Sequence, residues 1–267
     1  MEDTLHITSK IRGKVLEMAH KAGVAHLASA LSCVDILAVL YWKILKIDPN
    51  NPKDPNRDRF ILSKGHAAMA LYATLAHRGF FQEELLETFG KNGTSFAEHP
   101  DTGIAGVEAA TGSLGHGLPL GIGMALAARI QQRKYNVYVL LSDGECNEGS
   151  VWEAAMFAPA HKLENVAVIV DFNKWQATGR STEILAIEPL ADKWKAFGWS
   201  VYEVDGHDLN QLFETLTKLP DGSGKPVAII AHTIKGKGIS FMEDDNNWHY
   251  KAPNEEELNK AKKELGL

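Results

Sequence analysis

Four short runs, NVYVLLSD (136–143), NVAVIVDFN (165–173), SVYEVDG (200–206) and PVAIIAHT (226–233), are β-branched and apolar without alternation. A strand with one wet face alternates, whereas strands apolar on both faces suit a parallel sheet covered on both sides. Helical patterns at 150–162, 188–197 and 208–219 separate the runs. That order implies βαβ units with right-handed crossovers, and so an α/β domain: a mostly parallel sheet with helices on both faces. A further short strand, FILS (60–63), precedes KGHAAMALYATLAHRGF, a glycine-opened buried helix. Residues 4–23 form an amphipathic pattern, with Ile11, Val15 and Met18 at helical spacing. Residues 31–46 read as one more buried helix, 118–132 as another, and 254–265 as a charged one. DPNNPKDPNRDR (48–59) is a polar loop. The segment 91–117 is too rich in glycine and small polar residues for regular structure, and a loop of that length in a compact domain points to function.

The formal charge of −6 over 267 residues is dispersed, which argues against a nucleic-acid partner. Only two cysteines are present, Cys33 and Cys146, so neither a multi-cysteine zinc site nor a disulfide framework is expected, and a reducing compartment fits. The N-terminal stretch lacks the apolar block of a signal peptide, and no apolar run is long enough to span a bilayer. The expectation is a soluble cytoplasmic protein with no membrane partner.

In open parallel sheets, ligands sit at the carboxyl ends of the strands. Asp143 ends one run and Asn173 the next, about one βαβ unit later. Gly144 permits close backbone approach to a ligand. Taken singly, Asp-Gly after a strand is a turn and Asn a cap. Together, a carboxylate, an amide oxygen and a nearby backbone carbonyl form a hard donor set suited to Mg²⁺ and diphosphate oxygens.

The stretch LLSDGECNEGSVWEAAMFAPAHKLENVAVIVDFNKWQATG (140–179) resembles the thiamine diphosphate motif of transketolases, which begins Gly-Asp-Gly-Glu and ends Asp-Tyr-Asn-Lys. FILSKGHAAMALYATL, EHPDTGIAGVEAATGSLGHGLPLGIGMALA, VDGHD and HTIKGKGISFMEDDNNWHYKAPN resemble further segments of that family, in order and over nearly the whole chain. The resemblance implies a thiamine diphosphate-binding fold and transfer of a two-carbon ketol unit from a ketose, expected to be phosphorylated, to an aldose. It implies that 1–267 is one diphosphate- and Mg²⁺-binding domain, with Ca²⁺ or Mn²⁺ as substitutes for the metal. The family's pyrimidine-binding and C-terminal domains would lie on a second chain, in an α2β2 heterotetramer inactive without that partner.

Carried over residue by residue, Asp143, Asn173 and the carbonyl of Trp175 match the metal ligands. Gly144, His66 and His249 match contacts near the diphosphate, with His249 also near the reacting centre. Gly112 and Leu114 match contacts to the cofactor rings. His26 and His99 match histidines that bind donor hydroxyls and move protons, a role suited to neutral imidazole. Glu148 and Glu153 match acidic residues of the family's dimer interface, or are surface helix carboxylates. His77, His161, His207 and His232 read as structural, and Cys146 as an inert thiol. Three departures stand out: Ser142 replaces a glycine, Trp175 replaces a smaller aliphatic residue, and Ala25, Leu27 and Ala28 replace the Gly-Pro-Gly frame around His26. The last puts the family's usual pentose phosphates in question. Two other readings remain open: a subunit of another thiamine diphosphate enzyme such as a 2-oxo acid dehydrogenase, and a non-catalytic partner keeping the fold. A nucleotide-binding Rossmann protein is the weakest reading, since no Gly-x-Gly-x-x-Gly follows the first strand.

Overall fold

Burial on both faces decides the architecture. The structure, a computed structural model, describes residues 2–267. Five parallel strands form one sheet in the order β1-β2-β3-β5-β4: β1 (Arg59–Leu62), β2 (Val137–Ser142), β3 (Val166–Phe172), β4 (Ser200–Asp205) and β5 (Val227–His232). Every residue of β2 and β3 is buried. Alternate side chains enter two separate cores. Tyr138, Leu140, Ala167, Ile169 and Ile229 face one; Val137, Val139, Leu141, Val168 and Ile230 face the other.

The first face is covered by α1 (Glu2–Ala22), α2 (Leu27–Ser32), α3 (Val34–Val39) and α4 (Ala68–His77). The opposite face is covered by α5 (Gly117–Ile130) and α6 (Gly149–Ala160). After β3 come a single helical turn, α7 (Ser181–Ile184), and α8 (Leu190–Ala196), which buries Trp194 in the second core. Next, α9 (Leu209–Leu216) returns to the first face, and α10 (Glu255–Glu264) packs against α1. The β2–β3 crossover lies on one face and the β4–β5 crossover on the other. Right-handed crossovers on opposite faces run in opposite directions along the sheet, so the strand order reverses beside β3. A crevice forms at such a reversal.

Two expectations are corrected. The run at 200–206 was expected to be apolar on both faces, yet β4 is an edge strand and only Val204 of it is fully buried. An edge strand has one sheet neighbour and less cover, so Tyr202 is only partly buried against the first core and Glu203 is exposed. The single helix expected over 31–46 is instead two short helices and a π-helical turn, Leu40–Ile44, with the break at Cys33. The carbonyl of Ser29 accepts from Lys64 Nζ at 2.9 Å, while the Cys33 N–H turns to Leu31. A carbonyl drawn into that contact no longer serves the regular ladder. The remaining helices agree with the patterns to within a few residues. Among the described residues, no helix is long and apolar enough to cross a membrane.

One buried ion pair holds the first-face helices to the sheet edge. Arg12 of α1 clasps Asp35 of α3 through both guanidinium arms, at 3.1 and 2.7 Å. His207, just after β4, donates from Nδ1 to the same carboxylate at 2.7 Å and accepts the Ile234 N–H at Nε2. Burial alone would raise the Asp35 carboxyl, yet Arg12, with His207 assisting, holds it below the usual carboxylate range. A depressed folded pKa contributes stability at neutral pH and loses it on acidification through that lowered value. Arg12→Ala leaves Asp35 buried without its cation and is expected to destabilise the chain by about 3–5 kcal/mol at pH 7, read by urea unfolding. The deficit should shrink as the pH is lowered.

Candidate active site

The carboxyl ends of β1, β2, β3 and β5 deliver polar groups to one place. Asp143 follows β2 and is fully buried. Its Oδ1 accepts from the Gly144 N–H at 2.9 Å, and its Oδ2 from the Lys174 N–H at 2.9 Å and Ser181 Oγ at 2.8 Å. Asp143 therefore ties both ends of the segment 174–181, which follows β3. That segment is a small hairpin: Gln176 N–H meets Gly179 O, Ser181 N–H meets Lys174 O, and Trp175 pairs with Arg180 in between. In this register the peptide groups of Trp175 point away from the opposite arm. Its N–H donates to Asn173 Oδ1 at 3.0 Å, and its carbonyl accepts no hydrogen bond among the described residues. Asn173 is buried, with Nδ2 donating to Ser32 Oγ at 3.4 Å.

A carboxylate, an amide oxygen and an unengaged carbonyl thus come from two adjoining strand ends. Burial raises the Asp143 carboxyl to about 6, opposed by Ser181 and reinforced by the neighbouring Asp171 charge. A desolvated carboxylate in that position suits a divalent cation. No group of three or more His, Cys, Asp or Glu side chains is placed to hold a metal ion between them among the described residues. That agrees with a donor set holding only one carboxylate, the kind Mg²⁺ takes when phosphate oxygens and water complete its shell.

The cleft above these groups has a volume of about 330 Å³ and is lined by His26, His66, Gly112, Leu114, Asn173 and His249, among others. His26 Nδ1 and Gln176 Nε2 are buried there without a hydrogen-bond partner among the described residues. A side chain added at Gly144 would lie 2.8 Å from Gln176, so the backbone is exposed to the cleft only because position 144 is glycine. These unpartnered polar atoms, the bare backbone and the hard oxygen donors fit a diphosphate with its metal.

The imidazoles cluster. The His26 ring centroid lies 5.1 Å from that of His249, 5.4 Å from His66 and 6.4 Å from His99. His26 occupies the left-handed region, φ 69°, and its N–H donates to the His249 carbonyl. Burial lowers the pKa of His26, and that of His66 far more. His249 is lowered to about 3, first by burial and then by Lys235. Lys235 Nζ donates to His249 Nδ1 at 2.9 Å, which leaves the ring proton on Nε2. These three rings are neutral at physiological pH. His99 is exposed and packs against Gly112, where an added Cβ would come within 2.7 Å of the imidazole and where φ is 147°. Glycine is required at 112 on both grounds. Glu148 and Glu153 are exposed. His77 lies 3.4 Å from Glu83, His161 stacks on Phe157, and His232 bonds Glu203. Cys146 is buried and its thiol is pushed well above the ordinary value by burial.

Residue type and spacing alone miss several groups. Lys235 lies within HTIKGKG, where no periodicity hints that it would be buried. Its ammonium pKa falls to about 8 through burial, with Lys64 adding repulsion. Lys64 and Asp171, both fully buried, form an ion pair beneath the cleft. Asp171 also accepts from Ser32 Oγ at 2.6 Å and from Thr233 Oγ1. Glu145, also fully buried, accepts from Ser63 and from the Gly115 N–H at 2.8 Å, fixing the loop that carries Gly112 and Leu114. A charged residue inside an apolar strand, as Asp171 is in VAVIVDF, is the one signal that could have found them.

The family described as "Transketolase, thiamine diphosphate binding domain" matches residues 4–267. The chain belongs to the transketolase family. A subunit of the apulose-4-phosphate transketolase of Phocaeicola vulgatus is 40% identical over 98% of this chain and 94% of its own length. The 6-deoxy-6-sulfo-D-fructose transketolase subunit SqwG of Clostridium sp. (strain MSTE9) is 44% identical over 90% of this chain and 88% of its own. The transketolase of Campylobacter jejuni superposes with a TM-score of 0.94 at 32% identity, covering all of this chain but 43% of that one. This transketolase chain thus spans less than half of that longer enzyme and nearly all of the subunits, whose names imply a partner. A thiamine diphosphate-binding domain and an α/β parallel sheet, both expected from the sequence, are confirmed.

Lys64→Met would leave Asp171 with hydroxyl partners alone, deep in the sheet. Unfolding midpoints should show a loss of about 3–5 kcal/mol, with part restored by adding Asp171→Asn.

Proposed function

We propose that this chain is the diphosphate- and metal-binding subunit of a two-chain transketolase, which moves a two-carbon ketol unit from a ketose to an aldose. The observation that carries this reading is the convergence on one cleft of Asn173, the Gly144 backbone and the neutral rings of His26, His66 and His249, with the Asp143 carboxylate buried directly behind Gly144. Asp143, Asn173 and the Trp175 carbonyl would hold Mg²⁺, and Gly144 and His66 would meet the diphosphate. When bound, thiamine diphosphate supplies the nucleophilic carbon that carries the two-carbon unit. The chain's own part is to bind, orient and move protons. Lys235 presents a cation to phosphate oxygens and keeps His249 neutral with its proton on Nε2. His26, with an unpartnered Nδ1, accepts or donates at a sugar hydroxyl, and exposed His99 does so at the mouth. Gly112 and Leu114 would contact the cofactor's rings.

The domain pairing follows the same reading: 1–267 is a single domain, and the pyrimidine-binding and C-terminal domains lie on the partner, in an α2β2 assembly. Exposed Glu148 and Glu153 are available to that interface. Both similar subunits are named for sugars with an anionic group, a phosphate or a sulfonate. A ketose of that class, with its anion held largely by the partner, is the proposed donor.

Co-purification with the partner tests the reading. The complex should bind Mg²⁺ and thiamine diphosphate and transfer the two-carbon unit, whereas the chain alone should not turn over. Release of carbon dioxide from a 2-oxo acid would replace the reading with a dehydrogenase subunit. No cofactor uptake by the complex would replace it with a non-catalytic partner.

Cofactor association should have a bell-shaped pH dependence. Below about 6, Asp143 takes a proton that competes with the metal. Above about 8, Lys235 loses the charge that attracts diphosphate. Affinity should therefore peak between these limits, and Asp143→Asn should lower metal affinity by at least about tenfold. Isothermal titration across pH reads both effects.

A further inference from the structure

The hairpin 174–181 is held from above as well as from below. Asp244, in the loop between β5 and α10, accepts from Trp175 Nε1 at 2.7 Å. The same carboxylate takes both arms of Arg180, at 2.6 and 2.7 Å. The Arg180 guanidinium lies over the Trp175 indole, 3.8 Å from its centroid. Trp175 and Arg180 are the facing pair of the hairpin, so one carboxylate grips both arms at the same rung. Two residues on, Asn246 donates to the Ala177 carbonyl at 3.1 Å and accepts from Lys235 Nζ at 2.6 Å. Two loops are therefore joined: one carrying Asn173 and Trp175, the other carrying Lys235 and His249.

Both loops contain backbone that relaxes unless it is held. Lys174 has φ 70° and Asp244 φ 58°, left-handed values that a side chain beyond glycine rarely adopts. Lys174 sits between Asn173 and Trp175, so a relaxation there would turn the Trp175 carbonyl. Asp244, Arg180 and Trp175 are all at least partly exposed. An exposed ion pair adds little to global stability. Its geometric effect on the peptide beneath it is not so limited.

We infer that Asp244, with Arg180 and the Trp175 indole, is a positioning clamp that aims the Trp175 carbonyl at the divalent metal and so sets the affinity for the metal–diphosphate group. This deepens the reading above and rests on its assignment of Asp143, Asn173 and Trp175 as metal ligands. Asp244 itself touches neither metal nor cofactor. It acts through the rung that it grips.

The test uses the full chain in complex with its partner. Mn²⁺ is the probe, read by electron paramagnetic resonance, and thiamine diphosphate is titrated by calorimetry. Asp244→Ala and Arg180→Ala should each weaken Mn²⁺–cofactor binding by about tenfold. The double variant should be little worse than either single one, because both remove the same clamp. Asp244→Glu should recover part of the loss. The cofactor concentration for half-maximal activity should rise about as much as the binding constant, while kcat at saturation falls less than about twofold. Unfolding midpoints should hardly move. Added salt should weaken binding to the unaltered complex more than to Asp244→Ala, since an exposed pair is screened. Wild-type affinity in both alanine variants, or a loss of affinity matched by a loss of folded protein, would overturn the clamp. Failure of the unaltered complex to take up Mn²⁺ would instead overturn the ligand assignment on which it rests.

Discussion

The Lys64–Asp171 pair sets the geometry on which the candidate cleft depends. Asp171 is on β3, Lys64 follows β1, Thr233 follows β5 and Ser32 closes α2, and all of them meet at one carboxylate. Taking both charges out of water is unfavourable, and the pair is stable only because hydroxyls and the Ser29 carbonyl satisfy what remains. The pair therefore works as a constraint more than as a source of net stability. It fixes where three strands end relative to one another, and three residues of the candidate site each lie two positions along the chain from one of its members or from Thr233. Asn173 follows Asp171, His66 follows Lys64, and Lys235 follows Thr233.

How much of this could be read from the sequence follows from the range of each interaction. The central strands and most helices were legible because burial on two faces and helical periodicity are local patterns. Asp143 and Asn173 were legible because topology alone places consecutive strand ends side by side. The 31–46 segment was not, because its break is caused by Lys64, remote in sequence, drawing on the Ser29 carbonyl. Nor was β4, since an edge strand and a central one can carry the same short apolar run. Lys235 and Glu145 read as solvent-facing charges until the fold buries them. The family resemblance alone pointed to His26, His66, His99 and His249, which no spacing rule singles out; the structure adds that all four rings are within one cluster.

Neutrality of the buried rings is itself a consequence of the scaffold. Burial acts first on His26, His66 and His249, and nearby ammonium charge acts in the same direction: Lys64 on all three, and Lys235 on His26 and His249. A cluster of imidazoles in water would hold some protons near pH 6. Here His26 and His66 each keep an accepting nitrogen at neutral pH, the form needed to take a proton from a hydroxyl, whereas His249, its Nδ1 engaged by Lys235, offers its Nε2–H as a donor.

Asp143 and Lys235 are distorted in opposite directions, and the signs have a joint consequence. Moving the Asp143 carboxyl from 3.8 to about 6 corresponds to on the order of 3 kcal/mol against the folded chain. That term is fully present above pH 6 and vanishes on acidification below the ordinary carboxylate value. The Lys235 term, from an ammonium lowered from 10.5 to about 8, is fully present below pH 8 and vanishes above the ordinary lysine value. Both oppose folding at once between about pH 6 and 8. In that interval a cation beside Asp143 and an anion beside Lys235 each remove an unfavourable term instead of merely adding a contact. A ligand that supplied both charges would therefore couple binding to folding stability most strongly near neutrality, and a metal–diphosphate group held as proposed would return the stability that the chain forgoes there on its own.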